Sequence, residues 1–239
     1  MLITIVNACL RDGRAGSPTA VLEEASLTEL ERRQVPKLMG VSHASFVGDR
    51  DGPLASLRFF TATGELPACG HGTIAALAFL AEHGGRDRLQ VALLASERSF
   101  FGEANRAGRY VSAAFDPGAV DLREATPDER GLVVDALGSD PDILVPEICV
   151  ASLARPRLLV PLTTPTALAR LQPDYDRLRD GCDRLGLLGC YVYRSGRRAS
   201  VSPSRCHARA WPGRSAREPS GRPHARSSSH ASALATRIR

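Results

Sequence analysis

The apolar positions of residues 74–82, with the sequence IAALAFLAE, cover nearly every face of a helix. Alanine and leucine favour helix, and a helix that is apolar all round belongs inside a core. Residues 58–73 lead into it from a strand-like apolar patch through a turn with glycine and proline. Cys69 and His71 lie at the predicted helix start, where unpaired backbone N–H groups can hold a carboxylate. A tight turn with Cys69 as a small buried apolar residue explains the same spacing equally well.

Short apolar segments on both sides of this helix predict strands. The sequence also places Glu29 three residues after Ser26, a capping-box spacing that predicts a helix ending near Pro36. Strands around one buried helix predict an α+β domain over residues 1–117. The predicted strands are residues 2–7, 19–22, 42–47, 54–60, 89–94, 99–102 and 110–115.

Residues 118–194 repeat this order more loosely. Thr126 and Glu129 predict a capped helix ending near Leu137, and two further helices and three strands follow it. The pattern predicts a second domain of the same kind. This domain is expected to be incomplete, because no central apolar helix follows.

Residues 195–239 differ in composition from the rest of the chain. They contain ten Arg, ten Ser and a single acidic residue, and no hydrophobic period is present. Such a segment buries too little apolar surface to offset its ordering entropy, which predicts disorder. A regulatory basic tail is an alternative. The interpretation preferred here is a truncated or frame-shifted reading frame, because the half-built domain stops where the composition changes.

The formal net charge of +5 is a property of that tail. The tail carries +9, which leaves −4 for residues 1–194, from 21 basic and 25 acidic residues. This charge distribution argues against nucleic-acid binding except through the tail. No apolar run approaches the roughly 20 residues of a membrane span, and the N-terminus lacks a basic leader. Six cysteines without a paired spacing argue against a zinc site or disulfide framework and for a cytoplasmic setting.

Four segments together resemble a known family at the family's spacing. Residues 16–21 (GSPTAV) resemble G-N-P-A-A-V, and residues 42–47 (SHASFV) resemble S-E-T-A-F-V. Residues 58–65 (RFFTATGE) resemble R-x-F-T-P-x-x-E, and residues 69–73 (CGHGT) resemble C-G-H-A-T. These segments are similar to the PhzF-like (phenazine biosynthesis) isomerase family, which has the diaminopimelate-epimerase fold. The resemblance covers residues 1 to about 194.

The resemblance implies two pseudo-symmetric domains, each a mixed β-barrel around one helix, with the active site between the two helix N-termini. It implies a homodimer that uses no cofactor and no metal. The implied chemistry removes a proton from one carbon and returns it to another, or to the opposite face. The expected function is therefore a cofactor-independent isomerase or epimerase of a small carboxylated metabolite.

The resemblance also assigns site residues. His43 falls where the family carries its acid/base glutamate, and a neutral imidazole can serve in proton transfer. A strand histidine that donates to a backbone carbonyl is the plainer interpretation of His43. Ser17 replaces an asparagine near the site, and Glu65 is expected to support the turn. The predicted carboxylate cradle consists of Gly70, His71, Gly72 and Thr73, with His71 as a polar site residue and Cys69 as a further substrate-binding residue.

Other interpretations are weaker. The family's second helix opens with a D-P-A-T-G-S type turn, which residues 195–239 do not contain. The competing hypothesis is therefore a catalytically inactive fragment that at most binds ligands. A two-thiol racemase is disfavoured, because neither Cys182 nor Cys190 lies at a helix-entry motif. Gly70 and Gly72 lack the spacing of a phosphate-binding loop.

Overall fold

The fold is that of a computed structural model. It divides into two units, the first formed by the described residues up to Pro117 and the strand Cys206–Ala210, the second by the described residues from Gly118 onward and the strand Thr236–Ile238. The residues described are 2–10, 15–51, 54–108, 110–138, 147–153, 155–194, 206–210 and 236–238.

The secondary-structure elements follow the chain in an α+β order. Those up to Pro117 are β1 (Ile3–Leu10), β2 (Ser17–Glu23), α1 (Glu29–Leu38), β3 (His43–Asp51), β4 (Leu54–Phe60), β5 (Glu65–Leu66), α2 (Gly70–His83), β6 (Arg88–Ala95), β7 (Arg98–Ala107) and β8 (Tyr110–Phe115). Those that follow are β9 (Asp121–Glu124), α3 (Pro127–Ala136), β10 (Cys149–Ser152), β11 (Pro156–Leu162), α4 (Pro165–Arg170), α5 (Tyr175–Arg184), β12 (Cys190–Arg194), β13 (Cys206–Ala210) and β14 (Thr236–Ile238).

The first unit is a mixed sheet wrapped around α2. Its strand order is β3-β2-β1-β13-β8-β7-β6-β4-β5, and a further pairing of β3 with β4 closes the curl. The β2–β3 and β4–β6 pairs are parallel, whereas the other pairs of this sheet are antiparallel. Helix α2 is buried from Gly72 to Ala81. The predicted mixed barrel around a central apolar helix is confirmed.

Close approach of strand and helix depends on Gly102 in β7. A Cβ there would lie 2.8 Å from Cδ2 of Leu77 and 3.0 Å from Cδ1 of Leu93. Leu77 is fully buried at the middle of α2. A side chain at residue 102 would therefore require Leu77 and Leu93 to move away from the strand.

Helix α1 covers the other face of the sheet and begins two residues later than expected. The capping box is Thr28 with Glu31, not Ser26 with Glu29. Arg32 explains the shift: it is buried, donates to the carbonyls of Ala25 and Leu27, and pairs with Glu24. These bonds hold the chain before Thr28 outside the helix, so the second of two overlapping cap motifs is used.

The second unit is a five-stranded sheet in the order β14-β12-β11-β10-β9, with α3, α4 and α5 packed in its core. The predicted capping box of Thr126 and Glu129 is confirmed at the start of α3. Helices α3 and α5 each bury one face only. Within the described part of this unit, no helix is buried on all sides as α2 is.

Strands β13 and β14 lie in the segment of residues 195–239, where no strand was predicted. Strand β13 pairs with β1 and β8, and β14 pairs with β12. The rest of this segment lies outside the described residues, so its predicted disorder and its origin stay predictions. None of the described helices combines the length with the apolar character that a membrane-spanning helix needs.

The Arg123–Glu129 pair generates a prediction about the second unit. Glu129 is buried and accepts hydrogen bonds of 2.7 and 2.8 Å from Arg123 and one of 2.8 Å from the Thr126 amide. The bonds from Arg123, followed by the Thr126 amide, lower the pKa of the Glu129 carboxyl from its ordinary 4.5 to about 2. The depressed pKa means that this stabilisation is complete above pH 4.5 and is lost as the pH falls towards 2.

We therefore expect Glu129→Gln to lower the free energy of unfolding by about 2 kcal/mol at pH 7, and by less at pH 3. Urea denaturation followed by circular dichroism at both pH values measures this. Glu124→Gln, an exposed neighbour on β9, is the control and should change little. An equal loss at both pH values would contradict the charge-based account.

Candidate active site

The sheet and α2 bring several strand ends to one edge. Strands β2 and β3 run parallel, with Thr19 opposite His43, so both begin at this edge. Strand β4 is antiparallel to β3 and ends here, with Phe60 opposite Ala44. The chain then turns through β5 into α2. The N-terminus of the buried helix therefore lies in the same unit as the start of β3.

The turn between β4 and α2 is held by polar contacts of its own. The Thr61 amide and hydroxyl donate to the Gly64 carbonyl at 2.8 and 3.1 Å. Arg58 donates to both carboxylate oxygens of Glu65 at 2.8 and 2.6 Å, with its guanidinium 5.1 Å from the Phe60 ring centroid. The prediction that Glu65 supports the turn is confirmed.

His43 is buried at the first position of β3, with 6% of its surface exposed. Its Nδ1 lies 2.7 Å from the hydroxyl oxygen of Ser42. Which of the two atoms donates depends on the tautomer of the ring. The plainer interpretation of His43, a ring that donates to a backbone carbonyl, stays a prediction.

His43 packs against His71 of α2. Their ring centroids are 4.3 Å apart and their planes are nearly perpendicular, at 86°. The sulfur of Cys69 lies 3.7 and 3.6 Å from the two ring nitrogens of His71. The possible ligand atoms of these three residues all lie within 4.8 Å of one another. Among the residues that the structure describes, this is the group that could hold a metal ion.

Cys69 is the N-cap residue of α2, and its side chain does not cap the helix. The first helical hydrogen bond joins the Thr73 amide to the Cys69 carbonyl at 2.8 Å, and the Thr73 hydroxyl donates to the same oxygen at 2.9 Å. Both hydrogen-bond donors of Thr73, its amide and its hydroxyl, therefore bond to the carbonyl oxygen at the helix start. Of the predicted cradle, the amides of Gly70 and Gly72 precede this bond, in the turn where helices bind anions.

Gly72 allows β3 to approach the helix closely. A Cβ on Gly72 would lie 2.8 Å from Oγ of Ser45, 2.9 Å from Cδ1 of Phe59 and 3.0 Å from Sγ of Cys69. The Ser45 hydroxyl is fully buried and donates to the Gly72 carbonyl at 3.2 Å. In the family motifs quoted above, both positions carry alanine. In this chain the Ser45 hydroxyl occupies the space that the methyl group of an alanine at position 72 would fill.

Ser17 begins β2 and is half-buried, two positions before Thr19 on the same side of the strand. Its carbonyl accepts a 3.3 Å hydrogen bond from the Thr19 hydroxyl. The preceding turn requires Gly16, whose φ is +99° and whose Cβ would lie 2.7 Å from the Ala8 carbonyl oxygen. Ser17 therefore lies at the same sheet edge as His43, and its contact with a substrate stays a prediction.

The remaining candidate thiols are structural. Cys182 in α5 and Cys190 at the start of β12 are both buried in the core of the second unit. Burial raises the pKa of the Cys182 thiol, and it raises the pKa of Cys190 to about 12. Thiols that stay protonated at neutral pH are poor acid/base groups, which is consistent with disfavouring a two-thiol racemase.

Two contributors were missed at the sequence level. Ser42 contacts the ring nitrogen of His43, and Ser45 contacts the helix start. Ser42 matches the serine of the quoted motif, so it carried no signal of a role. Ser45 and Gly72 each replace an alanine of the quoted motifs. One larger and one smaller residue in two site motifs could have indicated that the two positions are in contact.

Comparison with known proteins identifies relatives. The model of the phenazine biosynthesis-like protein family (PhzC-PhzF) matches residues 8–210. The uncharacterized isomerase YddE of Escherichia coli K12 is 23% identical over 193 residues, which cover 75% of this chain and 62% of that protein. This chain thus spans less than two thirds of the curated relative.

Solved structures show the same fold. A Pseudomonas aeruginosa protein described as a "Predicted Epimerase" superposes with a TM-score of 0.70 at 26% identity, over 80% of this chain and 68% of that one. A PhzF-family phenazine biosynthesis protein from Bacillus anthracis gives a TM-score of 0.66 at 17% identity, over 80% and 66%.

The Ser45–Gly72 contact generates a prediction. We expect Gly72→Ala to lower the free energy of unfolding by about 1–3 kcal/mol through overpacking. The variant with both Ser45→Ala and Gly72→Ala should be more stable than the sum of the single changes implies, by about 1 kcal/mol. Urea denaturation of the four proteins measures this coupling.

Gly70→Ala is the matched control, because a Cβ at Gly70 has no atom within 4 Å. It should be neutral or slightly stabilising, since alanine favours helix more than glycine does. If the effects of Ser45→Ala and Gly72→Ala on the free energy of unfolding add exactly, the Ser45 hydroxyl does not occupy the space of a methyl group at position 72, and the prediction is wrong.

Proposed function

This chain belongs to the phenazine biosynthesis-like protein family, and from that membership we propose that it is a cofactor-independent isomerase or epimerase of a small carboxylated metabolite. The observation that carries the proposal is the contact between the buried His43 ring and the first turn of α2, at 4.3 Å from His71. A proton acceptor and an anion-binding helix end thereby lie side by side. These are the two elements that proton abstraction next to a carboxylate requires.

His43 is proposed as the group that moves the proton. The Ser42 contact at Nδ1 fixes the ring and favours Nε2 as the reacting nitrogen. In the neutral ring, Nε2 takes a proton from the carbon next to the substrate carboxylate and becomes an imidazolium N–H. It then returns that proton, so that the ring ends neutral and the substrate is isomerised.

The first turn of α2 is proposed as the carboxylate cradle. As the proton leaves carbon, negative charge grows on the carboxylate oxygens. The amides of Gly70 and Gly72, together with the positive end of the helix dipole, stabilise that charge without reorganising. The burial of His43 beside this turn keeps bulk water from competing for the proton.

Acid/base groups on a single side of the substrate favour a proton shift between two carbons over inversion at one carbon. His43 and His71 are in ring contact, and we infer from this that both imidazoles would face a bound carbon from the same side. Return of the proton to a second carbon on that face needs no further group, whereas inversion at one carbon needs a partner opposite. A shift between two carbons is therefore the preferred form of the proposal.

Ligand binding without turnover is the second candidate. The observation that favours it is that the D-P-A-T-G-S type turn of the family's second helix has no match in residues 195–239. We also propose a homodimer, which the family resemblance implies, and a cytoplasmic location, which the scattered cysteines favour. Equilibrium sedimentation tests the dimer independently of activity.

The proposal predicts solvent hydrogen exchange. In deuterium oxide, with a panel of small 2-amino, 2-hydroxy and unsaturated carboxylates, we expect a substrate C–H signal to disappear from the proton NMR spectrum. His43→Ala should slow this exchange by about 100-fold or more. His43→Glu, which restores the carboxylate of the family motif, should retain it.

The control is His83→Ala, at the far end of α2, about 18 Å along the helix from His71. Its exchange rate should equal that of the wild type. Unchanged exchange in His43→Ala would rule out the assigned base. Saturable binding of a panel member without any exchange would favour the ligand-binding candidate instead.

A further inference from the structure

We propose that His43, Cys69 and His71 form a zinc-binding site with three protein ligands and one open position. Two imidazoles and one thiol converge here, and their possible ligand atoms lie within 4.8 Å of one another. Nitrogen and sulfur donors select zinc over magnesium or calcium, which prefer oxygen. Three protein ligands with an open fourth position are typical of reactive zinc sites.

The donor atoms lie close enough to share one tetrahedral ion after small side-chain rotations. Zinc–nitrogen bonds of about 2.05 Å and a zinc–sulfur bond of about 2.3 Å place the two donor atoms about 3.6 Å apart at the tetrahedral angle. The Cys69 sulfur lies 3.6 and 3.7 Å from the His71 ring nitrogens. The sulfur is thus about equally far from both nitrogens, so the His71 ring has to rotate to aim one of them at an ion that the sulfur also binds. The third donor needs to approach by about 1 Å, which small side-chain rotations supply.

The fold holds the donors in place. Cys69 and His71 are fixed by the start of the buried α2, and His43 is the first residue of a strand paired on both sides. His43 and Cys69 are buried, whereas His71 is half-buried and gives an ion a route from solvent. The Ser42 hydroxyl at Nδ1 of His43 is the outer-shell partner that orients a metal-bound imidazole towards its metal.

The zinc site stands without the proposed isomerase function. Zinc at Nε2 of His43 would occupy the nitrogen that the proposed reaction uses, so a loaded chain would not transfer protons through it. The scattered cysteines argued against a zinc site because no two of them are paired in sequence. The fold instead brings the donors together from two segments, the start of β3 and the start of α2. The third donor is a nitrogen because position 43 is a histidine, where the family motif has a glutamate.

Metal binding to the full chain tests this directly. The protein, stripped of metal with a chelator, is titrated with Zn²⁺ in competition with a chromophoric chelator, and with Co²⁺ as an optical probe. We expect one ion per chain and a thiolate-to-cobalt charge-transfer band. Cys69→Ser, His71→Ala and His43→Ala should each weaken binding by about 100-fold or more, and Ser42→Ala by about 10-fold.

Cys9→Ser and His83→Ala are the controls, because they remove a thiol and an imidazole outside the cluster, and they should retain full affinity. Circular dichroism of each metal-free variant checks its fold, and the variants that remain folded decide the outcome. Binding that survives Cys69→Ser combined with His71→Ala, or a cobalt spectrum without the thiolate band, would place the ion elsewhere and overturn the proposal.

Discussion

The burial of α2 on all sides is the constraint on which the first unit depends. Its apolar residues, among them Ile74, Leu77 and Phe79, are each worth roughly 2 kcal/mol or more when removed from water, but only if strands surround the whole helix. The curled sheet provides that enclosure. An enclosed helix can expose polar backbone only at its ends, so its first turn becomes the natural polar site of the unit.

This constraint also positions the chemistry. The parallel pairing of β2 with β3 starts both strands at one edge, and the tie between Arg58 and Glu65 returns the chain there from β4. His43 is therefore brought against His71 by sheet register rather than by any local motif. A register change of one residue in β3 would turn His43 to the opposite face of the sheet.

Much of this arrangement was predictable from the sequence. The period-free apolar run of residues 74–82 predicts the enclosed helix, and the motif at residues 69–73 predicts its N-terminus as a site. The start of α1 was misplaced because two capping boxes overlap and a long-range contact, Arg32 with Glu24, selects between them. Strand β13 was missed because it carries no alternation of its own and is paired on both sides by β1 and β8. The His43–Cys69–His71 cluster depends on pairing across 26 residues of sequence, which composition and spacing do not reveal.

The departures from the family motifs bear on whether the site is maintained. His43, Ser45 and Gly72 all differ from the motifs, and all three lie around the first turn of α2. The extra hydroxyl of Ser45 enters the space that a methyl group on Gly72 would fill, and it hydrogen-bonds there. Unconstrained substitutions would leave a cavity or a clash at such a contact, each destabilising by 1 kcal/mol or more as an order of magnitude. Complementary changes at Ser45 and Gly72, beside the imidazole of His43, instead describe a contact whose packing is conserved in volume although both residues differ from the motifs.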